Sequence, residues 1–304
     1  MKKDLISIDE LSAREVNDLL ILAGKIKKSP AEFGNTLKGK SLALVFEKPS
    51  NRTYVSFSVG MYQLGGNALY LGPEQIKLGV RETIHDVAKT LSRFVNGIVL
   101  RTFAHENVLE MARCASVPVI NGLSDYSHPC QALADIFTIM EKRGSLRGLT
   151  LAYIGDGNNV CNSLAYISAK LGINFSVSTP KGYEPDSVLF KKTSAEAAKL
   201  GAEFRFSYDP REAVKGAGVI YTDVWASMGQ EEETEKRKKD FKEFQVTSKL
   251  VSLAESGCLV MHCLPAHRGE EISDDAIDGE HSVVFDQAEN RLHAQKAILA
   301  ELLK

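Results

Sequence analysis

Ser50, Asn51, Arg52 and Thr53 follow an apolar run, Ser41 to Phe46, and open an amphipathic stretch, so the chain reads as strand, turn and helix start. A helix start carries backbone N–H groups with no intrahelical partner and the positive end of the helix dipole. Two hydroxyls and a guanidinium beside those amides make a phosphate site. Arg101 stands just after Gly97-Ile98-Val99-Leu100, at a strand's C-terminal end. Ligands of open α/β sheets collect outside such ends. His128 and Gln131 are three residues apart at the start of another helical stretch. They lie on neighbouring faces of its first turn, where both can address one ligand.

The second half has its own chemical segments. Tyr153-Ile154-Gly155-Asp156-Gly157-Asn158-Asn159-Val160 is a strand-to-helix turn of the Gly-x-Gly kind. A dinucleotide site needs a third glycine, where Val160 stands, and an acidic residue after the next strand, which ends Ser176-Val177-Ser178-Thr179. A nucleotide-dependent oxidoreductase also leaves residues 50–53 and the His128–Gln131 pair unexplained. Asp223 follows the apolar run at 219–222 and can pair with an ammonium group, and Gly229 allows its loop to move. Cys263 follows a further apolar run at 258–261.

These residues need a scaffold that brings strand ends together. At 304 residues the chain holds two α/β domains. Strands are expected at 41–46, 67–71, 97–101 and 117–120, then at 149–154, 174–178, 218–222, 258–261 and 282–285. Helical stretches fall at 8–28, with Ser7 or Asp9 near the start, then at 51–64, 82–94, 105–115 and 128–142, and later at 158–171, 187–200, 210–215 and 288–303. The alternation predicts two doubly wound domains, each a parallel sheet flanked by helices. The expected limits are 1–142, 143–285, and a C-terminal helix at 286–304 returning to the first domain. The active site is expected in the cleft between them. The charge run through Glu231, Glu232, Glu233, Lys236, Arg237, Lys238 and Lys239 reads as a solvated loop and helix without a binding role.

A formal net charge of −2 gives no basic excess for nucleic acid or an anionic membrane. No apolar run reaches the roughly 18 residues of a membrane span. The five cysteines, Cys114, Cys130, Cys161, Cys258 and Cys263, are odd in number and lack CxxC spacing. They read as reduced thiols of a cytoplasmic protein, with neither a disulfide framework nor a zinc site.

The motifs Ser-x-Arg-Thr (50–53), His-Pro-x-Gln-x-Leu-x-Asp (128–135), Gly-Asp-Gly-x-Asn (155–159), Asp-x-Trp-x-Ser-Met-Gly-Gln-Glu (223–231) and His-Cys-Leu-Pro (262–265), with the closing segment around Arg291, keep one order along nearly the whole chain. Together they resemble the aspartate and ornithine carbamoyltransferase family, and the 223–231 run resembles its ornithine-binding members. The resemblance implies transfer of a carbamoyl group from carbamoyl phosphate to the δ-amine of L-ornithine, through a tetrahedral intermediate, giving L-citrulline and phosphate. No metal or organic cofactor is implied. Ser50, Asn51, Arg52 and Thr53 are expected to hold the phosphate. Arg101, His128 and Thr53 would polarise the carbonyl oxygen, and Gln131 would orient the carbamoyl amide, with Pro129 and Cys130 beside it. Cys263 and the Leu264 carbonyl would face the reacting amine and contact the carbamoyl phosphate, and Arg291 would complete the anion site. Arg52, Arg101, His128 and Cys263 are the expected catalytic set.

Asn159, Asp223, Ser227 and Met228 are expected to bind ornithine. Lys77, or Gln75 in its place, would reach the carbamoyl phosphate of a neighbouring subunit in a homotrimer with shared active sites. The resemblance also implies a cis peptide at Leu264–Pro265. Two other readings stay open at this stage. One is a carbamoyltransferase for putrescine or acylated ornithine, and the other is a non-catalytic carbamoyl-phosphate-binding protein.

Overall fold

The computed structural model describes residues 3–226, 229 and 231–304. Of these, the residues up to Phe137 and from Glu289 onward form one compact unit, and Thr138–Ala288 forms the other. Among the described residues no helix is long and apolar enough to cross a membrane.

The first unit is built on a parallel sheet in the order β2-β1-β3-β4. Its strands are β1 (Ser41–Phe46), β2 (Asn67–Leu71), β3 (Gly97–Arg101) and β4 (Val119–Leu123). The inner strands β1 and β3 are almost continuously apolar because helices cover both faces of such a sheet. Leu42, Leu44, Val45 and Phe46 are fully buried, as are Ile98, Val99 and Leu100. The chain leaves β1 toward one side for β2 and then crosses to the other side for β3. That reversal makes the C-terminal ends of β1 and β3, where Phe46 pairs with Arg101, a topological switch point. The end of the C-terminal helix packs beside the start of β3. A Cβ on Gly97 would lie 2.6 Å from a Leu303 methyl, so glycine is needed for that approach.

The second unit is a parallel sheet in the order β7-β6-β5-β8-β9. Its strands are β5 (Thr150–Ile154), β6 (Asn174–Ser178), β7 (Phe204–Ser207), β8 (Val219–Thr222) and β9 (Leu259–His262). The switch point here lies between β5 and β8, where Ile154 pairs with Thr222. Next along the sheet Thr222 pairs with His262. The fold is thus two α/β domains with helix-flanked parallel sheets.

Three sequence expectations need correction. The first long helix is Ala13–Lys28, not 8–28. Ser12 caps it and Glu15 completes a capping box, while Ser7 caps only a short 3-10 turn, Ile8–Glu10. The apolar residues at 282–285 do not form a strand. Val283 N–H bonds the Val260 carbonyl, and the helix Val284–Leu303 begins at once. Strand β7 was not expected, because its outer position leaves it half-exposed and without a continuous apolar run. The peptide Leu264–Pro265 is cis, as the resemblance implied.

Candidate active site

In the first unit the switch point gathers hydroxyl, amide and guanidinium groups. Ser50 caps the helix Asn51–Gln63, and its hydroxyl accepts the Thr53 N–H at 3.3 Å. The two hydroxyls, Ser50 to Thr53, lie 3.1 Å apart. Thr53 is buried, Arg52 half-buried and Asn51 exposed. Arg291, on the C-terminal helix, reaches the same point. One guanidinium nitrogen donates to Gln131 Oε1 at 2.7 Å and another to Thr53 Oγ1 at 3.2 Å. Gln131 in turn donates to Asp135 at 2.8 Å, so its carboxamide orientation is fixed by a cation on its oxygen and a carboxylate on its nitrogen.

Arg101 ends β3 and His128 directly precedes the helix Pro129–Arg143, both buried. Burial, first, and then the nearby Arg291 and Arg101 charges hold His128 well below the usual histidine range. His128 is therefore a neutral imidazole at neutral pH, able to donate one N–H without adding charge. The Cys130 thiol sits inside the fold against the Asn121 carbonyl at 3.5 Å, and burial pushes it up to about 12. It is a neutral packing group under physiological conditions.

In the second unit the residues around Asp223 converge. Asn158 caps the helix Asn159–Leu171 and accepts the N–H groups of Val160 and Cys161 at 2.9 and 3.1 Å. Its side-chain amide donates to Asp223 Oδ2 at 2.9 Å. Asp223 Oδ1 accepts the Cys263 thiol at 2.9 Å and the Val224 N–H at 2.8 Å. Thus Asp223 and Cys263, 40 residues apart, meet at the strand ends. Asn159 is buried one position further along the same turn. Gly157 serves chain packing here. A Cβ would lie 2.4 Å from the Pro185 nitrogen, so this turn needs its glycine whether or not a phosphate approaches.

The Cys263 turn is held from behind. His262 Nδ1 accepts the Leu264 N–H at 2.8 Å, and His262 Nε2 lies 2.9 Å from Glu271 Oε1. The first contact fixes the tautomer: Nε2 carries the proton and donates to the carboxylate. Leu264 itself adopts φ 57, a conformation that leucine rarely takes. Asp223, His262 and Cys263 also place possible ligand atoms within 4.8 Å of one another. With both ring nitrogens of His262 engaged, this trio lacks a third ligand.

Models of two domains match the chain. The carbamoyl-P binding domain of aspartate/ornithine carbamoyltransferases matches residues 3–141, and their Asp/Orn binding domain matches residues 147–302. The chain belongs to this family. It is 54% identical over 300 residues to the ornithine carbamoyltransferase of Thermococcus kodakarensis, covering 98% of this chain and 95% of that one. Against the ornithine carbamoyltransferase of Archaeoglobus fulgidus it is 52% identical over 303 residues, 99% of this chain and 97% of that one. The solved ornithine carbamoyltransferase from Pyrococcus furiosus superposes with a TM-score of 0.95 at 52% identity, over 99% of this chain and 96% of that one. The Giardia lamblia ornithine transcarbamoylase structure gives 0.91 at 34% identity, over 100% and 98%.

Within this family member the structure joins Ser50, Thr53, Gln131 and Arg291 by hydrogen bonds, and Arg101 and Arg291 act on His128 electrostatically. Asp223 and Cys263 are joined in the second unit. Ser227 and Met228 lie outside the described residues. Lys77 is exposed at the end of a short helix, Pro73–Ile76, with φ 41. No hydrogen bond or ion pair of its side chain to residues 50–53 is found among the described residues.

Other working residues went unread in the sequence. Lys48 is almost fully buried, bonds Asp125, and lies 4.1 Å over the Phe103 ring, so it ties the loop before Ser50 to the loop before His128. Asn158 looked like the spacer of its motif but is the link to Asp223. Arg237 corrects the reading of the charge run from Glu231 to Lys239 as solvated. It is buried and donates to Asp156 and to the Trp225 carbonyl, both at 2.8 Å, and to Glu233 at 2.8 Å. Trp225 stacks near Phe241 with centroids 5.8 Å apart. The signal was present only as one arginine among lysines, since a lysine cannot bond three acceptors in a fork.

Proposed function

We propose that this protein is an ornithine carbamoyltransferase, forming L-citrulline and phosphate from carbamoyl phosphate and L-ornithine. The observation that carries the reading is Asp223, a buried carboxylate at the second switch point that meets the Cys263 thiol in a chain of this family. Such a carboxylate suits the ammonium end of an amino acid. In this reading residues 1–142 bind carbamoyl phosphate, residues 143–285 bind ornithine, and residues 286–304 return to the first domain. Ser50, Asn51, Arg52, Thr53 and Arg291 hold the phosphate, and Asn159, Asp223, Ser227 and Met228 hold ornithine.

The neutral δ-amine attacks the carbamoyl carbon, forming a C–N bond and an oxyanion. Arg101, His128 and Thr53 receive the oxyanion charge. The oxyanion then re-forms the carbonyl as the C–O bond to phosphate breaks, and the phosphate leaves with that electron pair and takes the proton from the attacking nitrogen. His128 stabilises the oxyanion as a neutral N–H donor, since burial and the two arginines keep it unprotonated. Gln131 exchanges its bond with Arg291 for the carbamoyl amide. Cys263 and the Leu264 carbonyl lie beside the attacking nitrogen.

An alkyl amine has a pKa near ~10.4, so freeing its lone pair at about pH 7.4 costs roughly 4 kcal/mol. At subsaturating ornithine the rate of citrulline formation should therefore climb by about tenfold per unit from neutral pH upward. His128 does not titrate in that window, because its shift is downward from a value already below neutral. A flat profile from pH 7 to 9 counts against amine deprotonation as part of the barrier.

The Asp223 loop is set by Arg237. Arg237→Met keeps the aliphatic stem and removes the fork, leaving the partly buried Asp156 without its cation. Losing one charge-assisted bond of about 1.5–3 kcal/mol should raise KM for ornithine by roughly tenfold or more. KM for carbamoyl phosphate should stay within about twofold, and an equal rise in both would make Arg237 a general stability residue.

A cytoplasmic homotrimer with shared sites completes the proposal, with Lys77 or Gln75 reaching a neighbour's carbamoyl phosphate. Tyr54, Val55, Tyr62, Leu69 and Tyr70 support it, because they expose apolar surface on one helix and the edge strand β2.

A further inference from the structure

We propose that His267, Glu270 and Glu271 form a binding site for one divalent transition-metal ion of the zinc or cobalt type, outside the reaction chemistry. The three side chains offer one imidazole nitrogen and two carboxylate oxygens within 4.8 Å of one another. His267 Nδ1 lies 3.9 Å from Glu270 Oε2 and 4.0 Å from Glu271 Oε2. Donors bonded to one tetrahedral ion at about 2.0–2.2 Å stand only slightly closer together. One imidazole with two carboxylates is a donor set for borderline divalent ions, with a further position left for water.

The second observation is Glu271 itself. It is fully buried, and among the described residues its Oε2 has no hydrogen-bond partner. A buried carboxylate oxygen left so is costly. It faces the other two ligands, His267 half-exposed and Glu270 partly so. The rest of the carboxylate is already fixed, as a ligand should be. Glu271 Oε1 receives the His262 Nε2 proton at 2.9 Å and the His267 backbone N–H at 2.6 Å. The turn is pinned by Gln245, whose amide donates to the Gly269 and Glu270 carbonyls at 2.7 and 2.8 Å. Lys238 takes the other oxygen of Glu270 at 3.0 Å and leaves Oε2 for the ion. Arg268 is turned away onto Asp274 and Asp278.

The site has a route to the active centre. Glu271 holds His262, and His262 receives the Leu264 N–H in the strained turn after Cys263. An ion on Oε2 would stiffen that relay without touching substrate.

The test is calorimetric titration of the intact protein with Zn2+, repeated with Co2+ while recording its visible absorption, and a melting curve with and without each ion. One ion per chain, a spectrum of oxygen and nitrogen ligation, and a higher Tm are expected. His267→Ala and Glu270→Gln should each weaken binding by roughly tenfold or more and abolish the Tm gain, while Cys263→Ser leaves both intact. Absence of binding overturns the proposal. So does binding lost in Cys263→Ser with a thiolate spectrum, which would place the ion at Asp223 and Cys263, or binding unchanged in both surface variants.

Discussion

Replacing Arg101 with alanine should lower kcat/KM for carbamoyl phosphate by more than about a hundredfold. One lost oxyanion donor costs roughly 3–4 kcal/mol, and each 1.4 is a factor of about ten. Arg101 sits at the first switch point, buried, where its charge bears on His128. The variant therefore has a second signature. With one of the two flanking arginines gone, His128 rises toward the ordinary histidine range, although burial still holds it down. The sign is fixed: protonated His128 then appears at a higher pH than in the wild type, and activity should fall earlier as pH drops. Steady-state rates with carbamoyl phosphate varied and ornithine saturating, across pH, check both parts. A loss smaller than about tenfold, with the acid limb unmoved, would mean that Arg101 does not face the carbonyl oxygen.

Asp223→Asn should raise KM for ornithine by about a hundredfold. The native carboxylate takes three donors: the Asn158 amide, the Cys263 thiol and the Val224 N–H. An asparagine offers one acceptor oxygen and turns an NH2 toward another donor. The variant thus loses the charged partner of the substrate ammonium, about 1.5–3 kcal/mol, and leaves a buried donor unpaired, about 1–3 more. Carbamoyl phosphate affinity should change far less, because Ser50, Asn51, Arg52, Thr53, Arg101 and Arg291, its proposed charged and hydroxyl ligands, belong to the other unit. Direct titration with carbamoyl phosphate, beside ornithine kinetics, separates the two. If both affinities fall together, Asp223 supports the fold instead of the amino acid.

The inner parallel strands were legible because strands buried on both faces write themselves as apolar runs, as at Leu42 to Phe46 and Ile98 to Leu100. Strand β7 escaped because an edge strand needs no such run, and residues 282–285 misled because a buried helix start is apolar too. The first helix was misread by five residues because Ser7, Asp9 and Ser12 all have capping side chains, and only the pairing of Ser12 with Glu15 decides. In the site, the residues proposed to bind an anion could be picked out by type and position: Ser50, Arg52, Thr53 and Arg101 stand at strand ends and helix starts. Residues that hold others in place were not. Lys48, Asn158, Arg237, His262 and Glu271 act through partners up to 81 positions away, as Arg237 does on Asp156, and no local pattern announces that.

The most direct test of the account is product formation from carbamoyl phosphate with ornithine, putrescine, N-acetylornithine and aspartate offered separately. The account predicts citrulline from ornithine and no comparable turnover of the other three, since Asp223 and its loop suit a free α-amino acid end. Turnover of another acceptor in preference would contradict the ornithine assignment while keeping the carbamoyl-phosphate half. No turnover of any, in folded protein, would contradict the enzyme itself.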